Sequence, residues 1–201
     1  MAINYQKELD KLIADLNNRP ALLLHACCAP CSSYCLEYLT QYFDVTVYFY
    51  NPNISESDEY RMRKEELKRF VSEYTFENEV RIIEGDYNPD EFYQAARGLE
   101  KCPERGERCM KCYGLRLRKT ALLAKKLNSD YFCTTLSISP LKDAAAINEI
   151  GYRLEKETGV SWLPSDFKKK EGYKRSIELS GEYGLYRQNY CGCEFSKNKN
   201  P

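Results

Sequence analysis

Apolar and polar positions change period in blocks along this chain, and the blocks mark its elements. In residues 5–17, Leu9, Leu12, Ile13 and Leu16 recur at helical spacing and predict a helix with one apolar face. Ala21-Leu22-Leu23-Leu24-His25 is a short, almost continuous apolar run, the pattern of a strand buried on both faces. A helix is predicted from about Ser32 to Tyr42. A second strand follows over residues 45–50, closed by the breaker Asn51-Pro52-Asn53. A charged amphipathic helix over 57–74 leads to a third strand at 80–83. Pro89 is a favoured first helical residue, and a helix is predicted from there towards Leu99. After a polar loop, a helix is expected from near Cys109 to Leu127, a fourth strand over 131–135, a helix over 142–158 and a fifth strand over 160–163. A basic helical stretch around 168–179 precedes a terminal loop.

Strand and helix alternate throughout. That order predicts an α/β fold: a parallel sheet with helices on both faces, joined by right-handed crossovers. In such sheets the functional crevice lies at the carboxyl ends of the strands. The turn from Cys27 to Cys31 leaves the end of the first strand, so it is expected in that crevice. No repeat, low-complexity stretch or linker interrupts the pattern. The expectation is one α/β domain over 1–201, with a C-terminal cysteine-containing segment from about 164 to 201.

Charge changes this picture little. Thirty basic and thirty acidic residues cancel, so no global field draws the chain to nucleic acid, and any RNA contact needs a local basic patch. No apolar run approaches the roughly 20 residues that span a bilayer. The first residues lack the basic-then-apolar pattern of a secretory signal, so a cytoplasmic protein without membrane contact is expected. There the ten cysteines point to metal or redox chemistry rather than to a disulfide framework.

Those cysteines form three clusters and three singles. His25-Ala26-Cys27-Cys28-Ala29-Pro30-Cys31-Ser32 places three thiols directly after a strand. Cys109-Met110-Lys111-Cys112 is a C-x-x-C at a predicted helix start, where residues three apart share a face and the helix dipole favours thiolates. Four thiols from these two groups suit either a structural zinc ion or an iron–sulfur cluster, and spacing leaves both open. The pairs stand farther apart than in zinc ribbons, and a chain this long needs no structural metal to fold. Cys191-Gly192-Cys193 is a C-x-C: a strained, labile redox pair, or two ligands of one metal. Cys133 in an apolar strand and Cys35 in a helix read as core residues. His25 reads as a structural hydrogen-bonding residue.

Several strings resemble one family, the epoxyqueuosine reductases of the QueH kind. They are His-x-Cys-Cys-x-Pro-Cys at 25–31, Arg108-Cys109 with Cys112, and Thr134-Thr135-Leu136-Ser137-Ile138-Ser139-Pro140. Asp166-Phe167-Lys168-Lys169 and Gly184-Leu185-Tyr186-Arg187-Gln188-Asn189-Tyr190-Cys191-Gly192-Cys193 complete the set. The resemblance implies a sheet like that of the PP-loop ATPases, with His25 to Ser32 in place of their phosphate loop. It implies reduction of epoxyqueuosine to queuosine at the wobble position of tRNA carrying a queuosine-type anticodon. It also implies a [4Fe-4S] cluster on Cys27, Cys28, Cys109 and Cys112, and a catalytic redox pair of Cys191 and Cys193. Cys102 lies outside the family pattern.

No Gly-x-Gly-x-x-Gly follows any strand, so the electrons must come from an external donor through the metal centre. A second metal ion near Cys191 and Cys193 is a further option for activating the epoxide. Two other readings stay open: a zinc-stabilised RNA-binding module, and a sulfur-transfer enzyme using a persulfide on Cys193. For tRNA, the expected stripe is Lys168-Lys169-Lys170 with Lys174 and Arg175, assisted by Arg116, Arg118 and Lys119. Tyr113, Tyr186 and Tyr190 are the aromatics expected to receive the flipped base.

Overall fold

In the computed structural model of the chain, which describes residues 3–197, five strands form one sheet. They are β1 (Ala21–Ala26), β2 (Asp44–Phe49), β3 (Arg81–Glu84), β4 (Tyr131–Thr134) and β5 (Ser161–Trp162). Their order is β3-β2-β1-β4-β5, and every pairing is parallel, as the alternation predicted. β1 occupies the centre, which is why Leu22, Leu23 and Leu24 are all buried and why the run carries no polar face.

Among the described residues seven α-helices flank the sheet: α1 (Tyr5–Ala14), α2 (Ala29–Leu39), α3 (Ser57–Glu73), α4 (Pro89–Ala96), α5 (Glu107–Lys126), α6 (Ala144–Thr158) and α7 (Gly172–Glu182). Local chemistry starts several of them. The Asn88 side chain accepts from Asp90 N, with Pro89 following at the first helical position; the Asp143 side chain accepts from Ala146 N. α2 packs on α3 and α7, whereas α5 packs on α6. Right-handed crossovers that run from β1 towards β3 and from β4 towards β5, in opposite directions along the sheet, produce that grouping.

Two helix starts differ most from the sequence reading. α2 begins at Ala29 rather than Ser32, because Pro30 sits in its first turn and needs no N–H partner there. α7 begins at Gly172 rather than Lys168, because Lys170 and Glu171 take positive φ values of 51° and 61°, which no helix continues.

The strand order reverses at β1 and β4. β2 and β3 extend to one side of that pair and β5 to the other, so the connections leaving β1 and β4 diverge and open a crevice at their carboxyl ends. Behind it, Asn148 ties the far wall together. Its amide donates to Ala144 O and Ser165 O and accepts from Trp162 Nε1 at 2.9 Å and Ser165 N at 3.0 Å. No helix among the described residues is long and apolar enough to cross a membrane.

Candidate active site

At the end of β1 the backbone turns through Cys27 and Cys28 into α2, and Cys31 falls in the first helical turn. The three sulfurs lie within 4.8 Å of one another, and Cys27 Sγ is 3.7 Å from Cys28 Sγ and from Thr135 Oγ1 at the end of β4. The positive end of α2 favours negative charge here. Hydrogen bonds from the Cys28 and Cys31 thiols hold Cys27 well below the ordinary thiol range against the opposing effect of burial, with further support from Arg116. Giving that hydrogen bond pushes Cys28 up to about 12, and Cys31 likewise rises. One thiolate is thus shared by three sulfurs, a donor set suited to displacing protons for a metal.

His25 takes no part in this chemistry. Fully buried in β1, its Nε2–H donates to Tyr50 O at 3.0 Å and Nδ1 accepts from Thr134 Oγ1 at 2.8 Å. Burial, and then Arg116, push its pKa down to about 4. It is the structural residue the sequence reading expected. Cys133 and Cys35 are equally inaccessible; the Cys133 thiol donates to Leu163 O at 3.3 Å.

Cys109 and Cys112 occupy the first turns of α5 but stand outside the tight group formed by Cys27, Cys28 and Cys31. Cys109 joins the main core, whereas Cys112 packs with Cys193, Cys191 and Phe92. Cys31, which the ligand set drawn from the resemblance omitted, therefore belongs with Cys27 and Cys28. The signal for it was Pro30: a helix starting there puts Cys28 and Cys31 on one turn.

The C-x-C is set in place by the loop after β2. Asn53 Nδ2 donates to Cys191 O at 3.2 Å, and Ser55 N donates to Gly192 O at 3.1 Å. Arg63, itself paired with Glu59 at 2.6 Å, donates to Tyr190 O. Gly192 has φ of +100°, and a Cβ there would stand 2.7 Å from Ile54 Cγ1. Both thiols are free. A hydrogen bond from Cys193, reinforced by Lys142 and by Ser196 Oγ at 3.0 Å, holds Cys191 well below the ordinary thiol range, and giving that bond pushes Cys193 up.

A cavity of about 500 Å³ lies between these groups, its wall running from Cys27 and Cys31 past Arg116 and Lys142 to Tyr190 and Cys191. Burial works against the Lys142 ammonium, but Cys191, Tyr113 and Glu104 (3.0 Å away) raise its pKa overall, so it holds its proton. Gln188 donates Nε2–H to Cys28 Sγ at 2.8 Å and leaves its Oε1 buried without a partner. Asn53 Oδ1, beside the C-x-C, and the Tyr113 hydroxyl, within electrostatic reach of Cys109 and Cys112, are also buried and unpartnered. Clustered thiols, a shared thiolate and unpartnered polar atoms around them fit a thiolate-held metal.

A family model described as epoxyqueuosine reductase QueH matches residues 22–199. The chain belongs to the QueH family. It is 47% identical over 199 residues to the epoxyqueuosine reductase QueH of Streptococcus pyogenes serotype M1, covering 96% of this chain and 78% of that one. The protein of the same description from Staphylococcus epidermidis is 44% identical over 204 residues, with 98% and 86% covered. That from Thermotoga maritima is 35% identical over 181 residues, with 87% and 89% covered.

Three of the strings that carry the QueH resemblance line the cavity, whereas Arg108, Cys109 and Cys112 do not. The turn after β1 lends Cys27 and Cys31; the segment after β4 lends Leu136 and Ile138; the terminal string lends residues 187–191. Asp166-Phe167-Lys168-Lys169 supports the wall from behind, with Phe167 N donating to Ser137 Oγ.

Most of the residues expected to contact RNA are paired or buried. Lys168, Lys170, Lys174 and Arg175 are paired with Asp166, Asp10, Glu171 and Glu37, whereas Lys169 is exposed with no carboxylate within ion-pair distance among the described residues. Arg118 and Lys119 pair with Glu157 and Glu91, and Arg116 is buried. Of the three tyrosines, only Tyr190 lines the cavity. Tyr113 is 1% exposed in the core and Tyr186 points its hydroxyl to Glu59; Tyr173 on α7 lines the cavity instead.

Proposed function

We propose that this chain reduces epoxyqueuosine to queuosine in tRNA, as its relatives' descriptions state of them. The carrying observation is that Cys27 and Cys31 of the thiol cluster and Cys191 of the C-x-C line one cavity large enough for a flipped nucleoside. The reaction consumes two electrons and two protons, opens the epoxide to an alkene and releases its oxygen as water. Electrons enter from an external donor.

Cys27, Cys28, Cys109 and Cys112 are the proposed ligands of a [4Fe-4S] cluster, with Cys31 a further thiol at the same turn. A cluster held there supplies one-electron steps and an electrophile for the epoxide oxygen. Cys191, which carries the thiolate, and Cys193, which carries the proton, are the proposed redox pair; they equally offer two ligands to a second metal ion. Lys142 holds a proton at Nζ on the cavity wall, available to the departing oxygen. Tyr190 and Tyr173 offer aromatic faces to the base. The sheet order and its reversal at β1 and β4 support the PP-loop ATPase likeness, with thiols where a phosphate loop would stand. We read residues 1–201 as one domain whose segment from about 164 closes the cavity, acting in the cytoplasm; residues 198–201 lie outside those described.

For tRNA, the supported surface is the segment entering α5. Arg97, Lys101, Arg105 and Lys111 are exposed, and among the described residues none has a carboxylate within ion-pair distance. Arg105 donates to the carbonyls of Pro140 and Leu141, which line the cavity, so this surface borders its mouth.

Anaerobic purification tests the whole reading. The expected protein is brown, with broad visible absorbance bleached by dithionite, and it converts epoxyqueuosine-containing tRNA. A colourless protein holding only zinc overturns it.

A further inference from the structure

Arg63 and Arg116 are both almost completely buried beside the cavity, at 2% and 3% exposure. Arg63 has a carboxylate: Glu59 Oε1 stands 2.6 Å from its Nη2. Lys142, the third buried cation on the wall, has Glu104. Arg116 differs. Among the described residues no carboxylate lies within ion-pair distance of it. Its recorded partners are the Cys112 carbonyl, which accepts from Nε at 3.4 Å, and the Tyr113 ring, 5.9 Å from the guanidinium carbon.

A buried guanidinium without an anion costs several kcal/mol. Deprotonation gives no escape, since arginine keeps its charge at any ordinary pH. The fold must therefore bring negative charge to this place, and the groups it brings are sulfurs. Cys109, Cys112 and Arg116 follow one another at helical spacings of three and four, on one face of α5. Cys27 from the turn after β1 and Cys191 from the terminal string share the cavity wall with Arg116.

We propose that Arg116 is the fixed countercharge of the thiolate-held metal centre. A [4Fe-4S] core of charge 2+ carrying three or four thiolates would have a net charge of minus one or minus two, as would a divalent ion on the same ligands, and this guanidinium offsets it across the cysteine-bearing segments. Arg116 is a positioning residue in this role: it sets how tightly the thiolates hold metal, and it draws the centre's reduction potential upward, because an added electron is stabilised by a nearby cation. The inference rests on the metal centre proposed above.

The test uses reduced, metal-free full-length chain titrated with cobalt(II), whose thiolate charge-transfer absorbance reports binding. Arg116→Met is expected to weaken cobalt affinity by at least about tenfold, within the range found when outer partners of a metal site are removed. Arg116→Lys, which keeps the charge, is expected to recover most of it. Without metal, Arg116→Met is expected to melt no lower than the parent, because it removes an uncompensated charge. A merely structural arginine would lower the melting temperature and leave cobalt affinity intact, which overturns the proposal. Unchanged cobalt affinity with weakened tRNA binding also overturns it, and assigns the guanidinium to a phosphate. If Arg116→Met does not fold, Arg116→Gln replaces it in the same comparison. A parent protein that takes up neither cobalt nor, on anaerobic reconstitution with iron and sulfide, a cluster refutes the metal centre itself; equal uptake by parent and variant refutes only the role of Arg116.

Discussion

Substituting Gly192 by alanine isolates the docking of the C-x-C from its chemistry, since neither thiol is touched. The perturbation has two parts. A residue with a Cβ held at φ of +100° sits in sparsely populated backbone, costing about 1–3 kcal/mol. The new Cβ would also meet Ile54 Cγ1 at 2.7 Å and Arg63 Nη1 at 3.3 Å, so the neighbouring side chains must shift. Relief comes if the turn lifts from the loop after β2, giving up the bonds from Asn53 and Ser55. At about 1.4 kcal/mol per decade, the strain raises the open population by about 5- to 150-fold. Alkylation of the reduced, metal-free chain followed by peptide mass spectrometry measures that population. Cys193, 5% exposed in the parent, should label at least about tenfold faster, while Cys133, wholly buried in β4, stays protected as the internal control. Unchanged labelling of Cys193 would refute the claim that glycine is needed for this turn. Faster labelling of Cys133 as well would mean global unfolding instead of local release.

The ligand roles separate by metal analysis: Cys109→Ala should lose iron and activity together, Cys193→Ala should lose turnover and keep most iron, and Cys133→Ser should keep its iron content. Asn148→Ala should destabilise the fold by at least about 3 kcal/mol in chemical denaturation, because several buried groups lose their only partner at roughly 1–3 kcal/mol each; a loss below 1 kcal/mol would refute that account. Reversing Lys101 and Arg105 to Glu should weaken tRNA binding and flatten its salt dependence, as fewer counterions are released. The same reversal at Lys170 and Lys174 should change affinity little, and a large loss there would restore the stripe read from sequence.

What could be read in advance followed from how local each signal is. β1 was legible because three consecutive leucines at the sheet centre leave no polar face to confuse the period. The turn after it was legible because three thiols fall within five residues. Cys31 is legible as one of those three thiols, and it stands outside the ligand set only because that set follows the family resemblance. The partners of the cations are hidden for a different reason. Lys170 reaches Asp10 in α1, and Arg175 meets Glu37 in α2, 138 residues away in sequence. Nothing local announces such partners. Nor does sequence show that Arg116 is buried without one, although its spacing from Cys109 and Cys112 placed all three on one helical face.

The turn after β1 also sets an order of assembly. Its three sulfurs are gathered by one short stretch of chain, so the loop-closure entropy of bringing them together is small. The sulfurs of α5 and of the terminal string arrive only when much longer loops close; Gln188, which bonds Cys28, is 160 residues from it. Contacts of that span form late in folding. A nascent chain therefore presents a three-thiol trap for soft metal ions before its other ligands are in place. With the metal centre proposed above, which ion the finished site holds would then depend on exchange at those three thiols as well as on the affinity of the complete set.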